Sequence, residues 1–131
     1  MFMVEVIVYM QAAMEKMQKR SLSQPEETRR FEKGIVELVN VGDVTFGRAT
    51  LQPGWKWSTS VKPIVQTESC QAAHLQYCVS GRLHVVMDDG QQAEFGPGDV
   101  SVIPPGHDAW VVGNEPFVGV DISGMKDYAK G

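Results

Sequence analysis

The chain has 131 residues, of which 43% are hydrophobic and 21% are charged, and its formal net charge is -4. These values are typical of one soluble globular domain with its own core. A negative net charge without a dense Lys/Arg stripe argues against a nucleic-acid partner. Two cysteines, with neither an export signal nor a small-domain disulfide pattern, indicate a cytoplasmic protein with reduced thiols.

The first residues, "MFMVEVIVYM", are apolar but form only a short run that includes Glu5. A membrane-spanning helix needs about 20 apolar residues, and a secretory signal has basic residues before its apolar run rather than after it. We therefore expect no membrane association. Residues 1–34 are expected to form an N-terminal extension. It would start as a strand or helix, continue as a short helix over residues 11–20, and end as a polar arm, "SLSQPEETRRFEKG".

From residue 35 onward, short β-type runs alternate with turn signals rich in Gly, Pro and Asp. The pattern predicts eight strands, in "IVELVNV", "VTFGRATLQPG", "HLQYCVSG", "RLHVVMDDG", "QQAEFGPGD", "VSVIPPG", "HDAWVVGNEP" and "FVGVDI". This spacing is typical of a β-sandwich or barrel, and no helical period interrupts it. We expect one all-β domain over residues 35–131.

The segment "TESCQAAHLQYC" brings Glu68, Cys70 and His74 within seven positions, and all three are metal-ligand residue types. Alternation puts Gln76 and Cys78 on the same strand face as His74. The opposite face is more apolar, with Leu75, Tyr77 and Val79. Hydrophobicity alone would bury that apolar face and leave His74 in water. The residues by themselves leave both a site and an ordinary strand open.

Two longer stretches, "YCVSGRLHV" and "GPGDVSVIPPGHDAW", resemble the cupin superfamily, the type-2 conserved barrel domain. "GRATLQPGWKWS" is similar to a group of bacterial single-domain cupins without an established substrate. The resemblance implies an antiparallel double-stranded β-helix, the jelly-roll barrel, that forms homodimers. Gly98, Pro104 and Gly106 match the second cupin motif at its spacing, and the histidine position of that motif is Ala109.

The first cupin motif, anchored on Gly81, puts its glutamate position at His74 and its two histidine positions at Glu68 and Cys70. The resemblance implies that these three side chains face the barrel interior. His107 lies two residues before Ala109, so on a regular strand it projects to the same side, about 7 Å away.

Glu68, Cys70, His74 and His107 would then form a mixed N/S/O donor set. Such a set suits a divalent transition metal, zinc first, with iron or nickel as alternatives. Asp108 is expected to orient a histidine ligand. Gln76 and Trp57 are expected to line the pocket.

Three functional hypotheses follow. The first is a small-molecule metalloprotein, and within it an isomerase, lyase, hydrolase or dioxygenase whose catalytic residues and substrate stay open. The second is a metal-free cupin that binds or senses a small ligand through the same residues. The third is a structural dimeric accessory protein. The sequence contains no phosphate loop, dinucleotide fingerprint or nucleophile–base triad motif.

Overall fold

The computed structural model describes residues 16–122 and 128–130. All strand pairs in the described part of the chain are antiparallel. The elements are β1 (Glu27–Phe31), β2 (Gly34–Val41), β3 (Val44–Leu51), α1 (Trp57–Ser60), α2 (Lys62–Val65), β4 (His74–Ser80), β5 (Arg82–Met87), β6 (Gln92–Phe95), β7 (Val100–Ile103), β8 (His107–Val112) and β9 (Phe117–Asp121).

The strands form two sheets that share one core. One sheet has six strands in the order β1-β2-β3-β9-β4-β7, and the other has three in the order β6-β5-β8. Side chains from both sheets meet in the core, among them Val36 and Leu38 from the first and Leu83 and Val85 from the second. The predicted all-β architecture is therefore confirmed, and the eight predicted strands correspond to β2–β9.

The N-terminal region differs from the sequence-based expectation at two points. β1 lies within the segment that was predicted to be a polar arm, and it pairs along its length with β2. Residues 16–20 are not helical, and the rest of the predicted 11–20 helix lies outside the described residues. The helices α1 and α2 were not predicted, because a single turn is too short to produce a helical period. None of the helices in the described residues has the length and hydrophobicity needed to cross a bilayer.

Strand β4 turns its more polar face into the barrel. His74, Gln76 and Cys78 are buried, whereas Tyr77 and Val79 on the opposite face are 49% and 48% exposed. This is the orientation that the cupin resemblance implies and the reverse of the one that hydrophobicity alone favours. The outer face continues onto the neighbouring edge strand β7, where the side chains of Val100 and Val102 are also exposed.

The turn between β4 and β5 requires its glycine. Gly81 has a φ of 76°, and a Cβ atom there would lie 2.2 Å from the carbonyl oxygen of Pro116. Any other residue would be strained in this backbone conformation and would also clash with fixed backbone. The turn therefore fixes where β4 ends, and with it the position of the inward-facing side chains before it.

Candidate metal centre

Backbone pairing brings Cys70 and His107 together, although 37 positions separate them in the sequence. The two residues form an isolated antiparallel bridge in which the Cys70 N–H donates to the His107 carbonyl at 2.7 Å. The neighbouring Gly106 N–H donates to the Cys70 carbonyl, also at 2.7 Å. Residues opposite each other in such a bridge have neighbouring side chains. The bridge therefore holds the thiol beside the imidazole of His107.

His74, the first residue of β4, completes the cluster from the other sheet. Its Nδ1 donates a hydrogen bond to the Asp121 carboxylate at the end of β9. Gln76, two residues further along β4, is paired in register with Asp121. Asp121 is 1% exposed, and a buried carboxylate needs such a partner because losing its hydration is costly.

Both imidazoles present the same nitrogen to the cluster. The Nδ1 of His107 lies 2.8 Å from the carbonyl oxygen of Pro104, which can only accept, so Nδ1 carries the proton. With both Nδ1 atoms engaged, each histidine has Nε2 left for a ligand. The Nε2 of His74 lies 3.8 Å from Cys70 Sγ. One ligand atom from each of Cys70, His74 and His107 lies within 4.8 Å of the others, and all three residues are buried.

This donor set fits a tetrahedral transition metal. Zinc bonds of about 2.3 Å to sulfur and 2.0–2.1 Å to nitrogen place the two atoms roughly 3.6 Å apart in a tetrahedron. The observed sulfur–nitrogen separation is close to that value. The histidine–carboxylate contact between His74 and Asp121 is also the usual support of a metal-bound imidazole. The three residues present therefore fit a zinc-type ion with one coordination position left open.

The electrostatics of the metal-free cluster favour a charged pair. Burial acts to raise the pKa of the Cys70 thiol, but hydrogen bonds to His107 and His74 outweigh it and lower that pKa to about 6. Burial acts to lower the pKa of His74, but hydrogen bonds to Asp121 and Cys70 outweigh it and raise that pKa to about 9. Near neutral pH the pair is therefore a thiolate beside an imidazolium, and the sulfur is already in its metal-binding form.

A small cavity of about 40 Å³ opens onto the cluster. One water molecule needs roughly 10–15 Å³, so the cavity has room for more than a single solvent molecule. Its walls are mostly apolar and come from both sheets. The lining also includes the polar-tipped side chains of Trp55, Trp57, Gln76 and Tyr128.

Comparison with known proteins identifies the family. The EutQ-like cupin domain matches residues 44–119, which is more than half of the chain. The chain belongs to this cupin family. Comparison with curated protein sequences gives no match.

Solved structures similar to this cupin support the same fold. A protein of unknown function from Rhizobium leguminosarum bv. viciae has a TM-score of 0.59 and 21% identity, covering 82% of this chain and 96% of its own. The polyketide cyclase RemF from Streptomyces resistomycificus has a TM-score of 0.58 and 16% identity, covering 82% and 79%. A double-stranded β-helix protein from Klebsiella pneumoniae has a TM-score of 0.53 and 18% identity, covering 85% and 93%. At these identities the likeness concerns the fold alone.

The structure brings together three of the four predicted ligands of this cupin and leaves out the fourth. The Glu68 side chain is fully exposed and pairs with Lys62 at 3.6 Å, so it lies outside the cluster that the other three form. Glu68 lies in a bend rather than in a strand. The strand alternation assumed by the motif therefore does not apply to it.

The predicted carboxylate support for a histidine comes from a different residue. Asp108 accepts hydrogen bonds from the backbone N–H groups of Ser58 and Ala109, at 3.1 and 2.9 Å, and so ties α1 to β8. Asp121 supports His74 instead. Gln76 and Trp57 line the cavity.

Sequence reasoning missed two residues of the site. Asp121 shares the inward face of β9 with Phe117 and Gly119, and a carboxylate at that position in an apolar strand was a usable signal. Tyr128 had no such signal. Its ring lies 5.8 Å from that of His74, and burial raises its pKa well above the usual value, with the charges of Cys70 and Asp121 adding to the effect.

The side-chain contacts also link a thiol, an imidazole and a carboxylate in a row, an arrangement that the sequence did not predict. Thiol, imidazole and carboxylate follow one another in Cys70, His74 and Asp121. This is the order found in proteins whose cysteine acts as a nucleophile with a histidine base. The sequence motifs gave no sign of it, because the three residues belong to separate segments that only the fold brings together.

Proposed function

We propose that this cupin is a small-molecule metalloprotein that holds a divalent transition metal, zinc first, through Cys70 Sγ and the Nε2 atoms of His74 and His107. The observation that carries the proposal is the convergence of three buried donor atoms within 4.8 Å. Iron and nickel are the alternatives that the same donor types permit.

Three protein ligands and an open position are typical of catalytic rather than structural zinc sites. When bound, such a metal supplies Lewis-acid polarisation of an oxygen ligand or a more acidic bound water. The chain's own residues position that ligand. Cys70 contributes a thiolate, Asp121 and the Pro104 carbonyl fix the two imidazoles, and the apolar cavity walls limit access of bulk water.

Metal analysis of untagged protein, purified without added metal, tests the proposal. We expect about one transition-metal ion per chain, and its loss in Cys70→Ser and His74→Ala. His84→Ala is the matched control, because His84 stacks on Trp110 and bonds Gln92 outside the cluster. Absence of stoichiometric metal, or equal metal content in His74→Ala and wild type, would refute the assignment.

The contact order Cys70–His74–Asp121 favours a second candidate, a metal-free cupin that binds a small ligand beside a nucleophilic thiolate. It predicts that metal-free protein reacts with iodoacetamide at Cys70 and that His74→Ala slows the reaction. Full metal occupancy in the purified protein would rule this candidate out as the resting state.

A further inference from the structure

The side chain of Gln76 is a buried polar group without a partner in the described part of the chain. It is 9% exposed and lines the cavity, and no described residue forms a hydrogen bond with its amide. On the inner face of its sheet, Gln76 is paired in register with Ser101 on one side and Asp121 on the other. Among the described residues, the fully enclosed side-chain atoms without a partner are Trp55 Nε1 and Ser60 Oγ, and the Gln76 amide is not one of them. The amide therefore reaches the cavity that it lines, where it is available to a bound molecule.

The charges around the cavity favour a ligand without net charge. Among the described residues that line it, none is a lysine or arginine. A divalent ion would be balanced by the Cys70 thiolate and by the Asp121 carboxylate behind His74. An anionic ligand would therefore add an uncompensated charge to an apolar cavity, which is unfavourable.

The cavity volume limits the size of the ligand. About 40 Å³ accommodates only a few non-hydrogen atoms beside the metal. Apolar residues of the wall, among them Leu83, Val85 and Phe117, favour a small aliphatic part. Gln76 offers one acceptor and two donors, so it can bond a second polar group of such a molecule.

We propose that Gln76 selects a small neutral carbonyl or amide compound, an inference that rests on the metal site proposed above. With a metal held by the cluster, the ligand's oxygen would take the open coordination position and its remaining polar group would bond the Gln76 amide. Gln76 thus determines specificity without being a metal ligand.

The test uses cobalt(II)-loaded protein and two probes of nearly the same shape, acetamide and acetate. Each is titrated while the visible absorption of the cobalt is recorded. We expect acetamide to change the spectrum saturably and acetate to bind at least about fivefold more weakly. In Gln76→Leu, acetamide binding should weaken by about fivefold or more, as for loss of one buried hydrogen bond, with the ligand-free spectrum retained.

Ser101→Ala is the matched control, because Ser101 is a buried neighbour of Gln76 that is not part of the cavity lining. Gln76→Met gives a second apolar variant should the leucine variant fold poorly. Acetate binding as tightly as acetamide, or acetamide binding unchanged in either Gln76 variant, would overturn the inference and leave the metal site intact. Failure of cobalt to bind at all would instead overturn the proposed function.

Discussion

Replacing Asp121 by asparagine tests whether this carboxylate supports a metal-bound histidine. Asparagine keeps the size of the side chain and an acceptor for the Nδ1 proton of His74, but it removes the negative charge. Loss of such a supporting partner typically weakens metal affinity about 10–100-fold, equivalent to about 1.4–2.8 kcal/mol. In Asp121→Asn, the intrinsic affinity of this cupin for zinc should therefore decrease by a factor within that range.

The measured difference in zinc affinity between wild type and Asp121→Asn depends on pH. The raised pKa of His74, about 9, means that a proton competes with the metal at neutral pH. At pH 7 this competition weakens apparent binding to the wild type by about 100-fold. Because Asp121 is one cause of the raised pKa, the variant suffers less competition. We therefore expect nearly the full loss of affinity at about pH 9 and a much smaller difference at about pH 7.

Competition with a chromophoric zinc chelator at the two pH values measures this difference. Asp108→Asn is the matched control, since Asp108 is a partly buried carboxylate whose hydrogen bonds to described residues are those from the backbone N–H groups of Ser58 and Ala109. Equal zinc affinities of wild type and Asp121→Asn at about pH 9, or an equal loss in the Asp108 variant, would refute the reasoning.

Three further predictions concern Ala109, Cys70 and the outer face beside strand β7. Ala109→His should supply a fourth ligand and abolish the spectral response of the cobalt protein to acetamide; an unchanged response would contradict the open position. In metal-free protein, the thiolate absorbance of Cys70 should titrate near pH 6 rather than 9.0. Since the folded pKa is the lower one, this group's contribution to stability should be present above pH 9.0 and lost as pH falls through about 6; a midpoint near 9.0 would refute this. We also propose that a second copy of the chain covers the outer face beside the edge strand β7. Light scattering should then report a dimer for the wild type and a monomer for Val102→Asp, and a monomeric wild type would refute the proposal.

The dimer prediction rests on the character of that edge. The unpaired side of an edge strand is usually protected by charge, proline or a covering element. The strand β7, "VSVI", carries no charged residue and no proline, and its Val100 and Val102 are 71% and 73% exposed. A second copy could cover both this edge and the apolar outer face of β4.

The sequence was sufficient to predict the strands and turns, because these depend on the local pattern of residues. Turn residues such as Gly81 and Gly98 and the alternating runs between them were sufficient for eight strands in a β-sandwich or barrel. The cupin barrel was implied by the resemblance of two longer stretches to that superfamily. The orientation of β4 was not available from hydrophobicity, because its inner face carries His74 and Gln76. Only the motif spacing, which depends on how the strand enters the barrel, gave the correct face.

The parts of the site that could not be predicted depend on long-range pairing. The support of His74 by Asp121 follows from the register between β4 and β9, which no local pattern specifies. Glu68 was assigned by counting along a strand that in fact begins only at His74. Cys70 also precedes the strand, but its backbone is bridged to His107. This bridge fixes the direction of the Cys70 side chain.

Ala109 stands where the second cupin motif usually has its histidine, and this explains how the donor cluster and the cavity fit side by side. On β8, Ala109 and His107 both point inward and are opposite Val85 and Met87 of β5. A histidine at 107 rather than 109 places the donor two residues nearer the start of the strand, where Cys70 is bridged to it. The small side chain of Ala109 then lines the cavity instead of filling it. The position of this histidine therefore puts an imidazole beside the Cys70 thiol and leaves the small Ala109 side chain on the cavity wall.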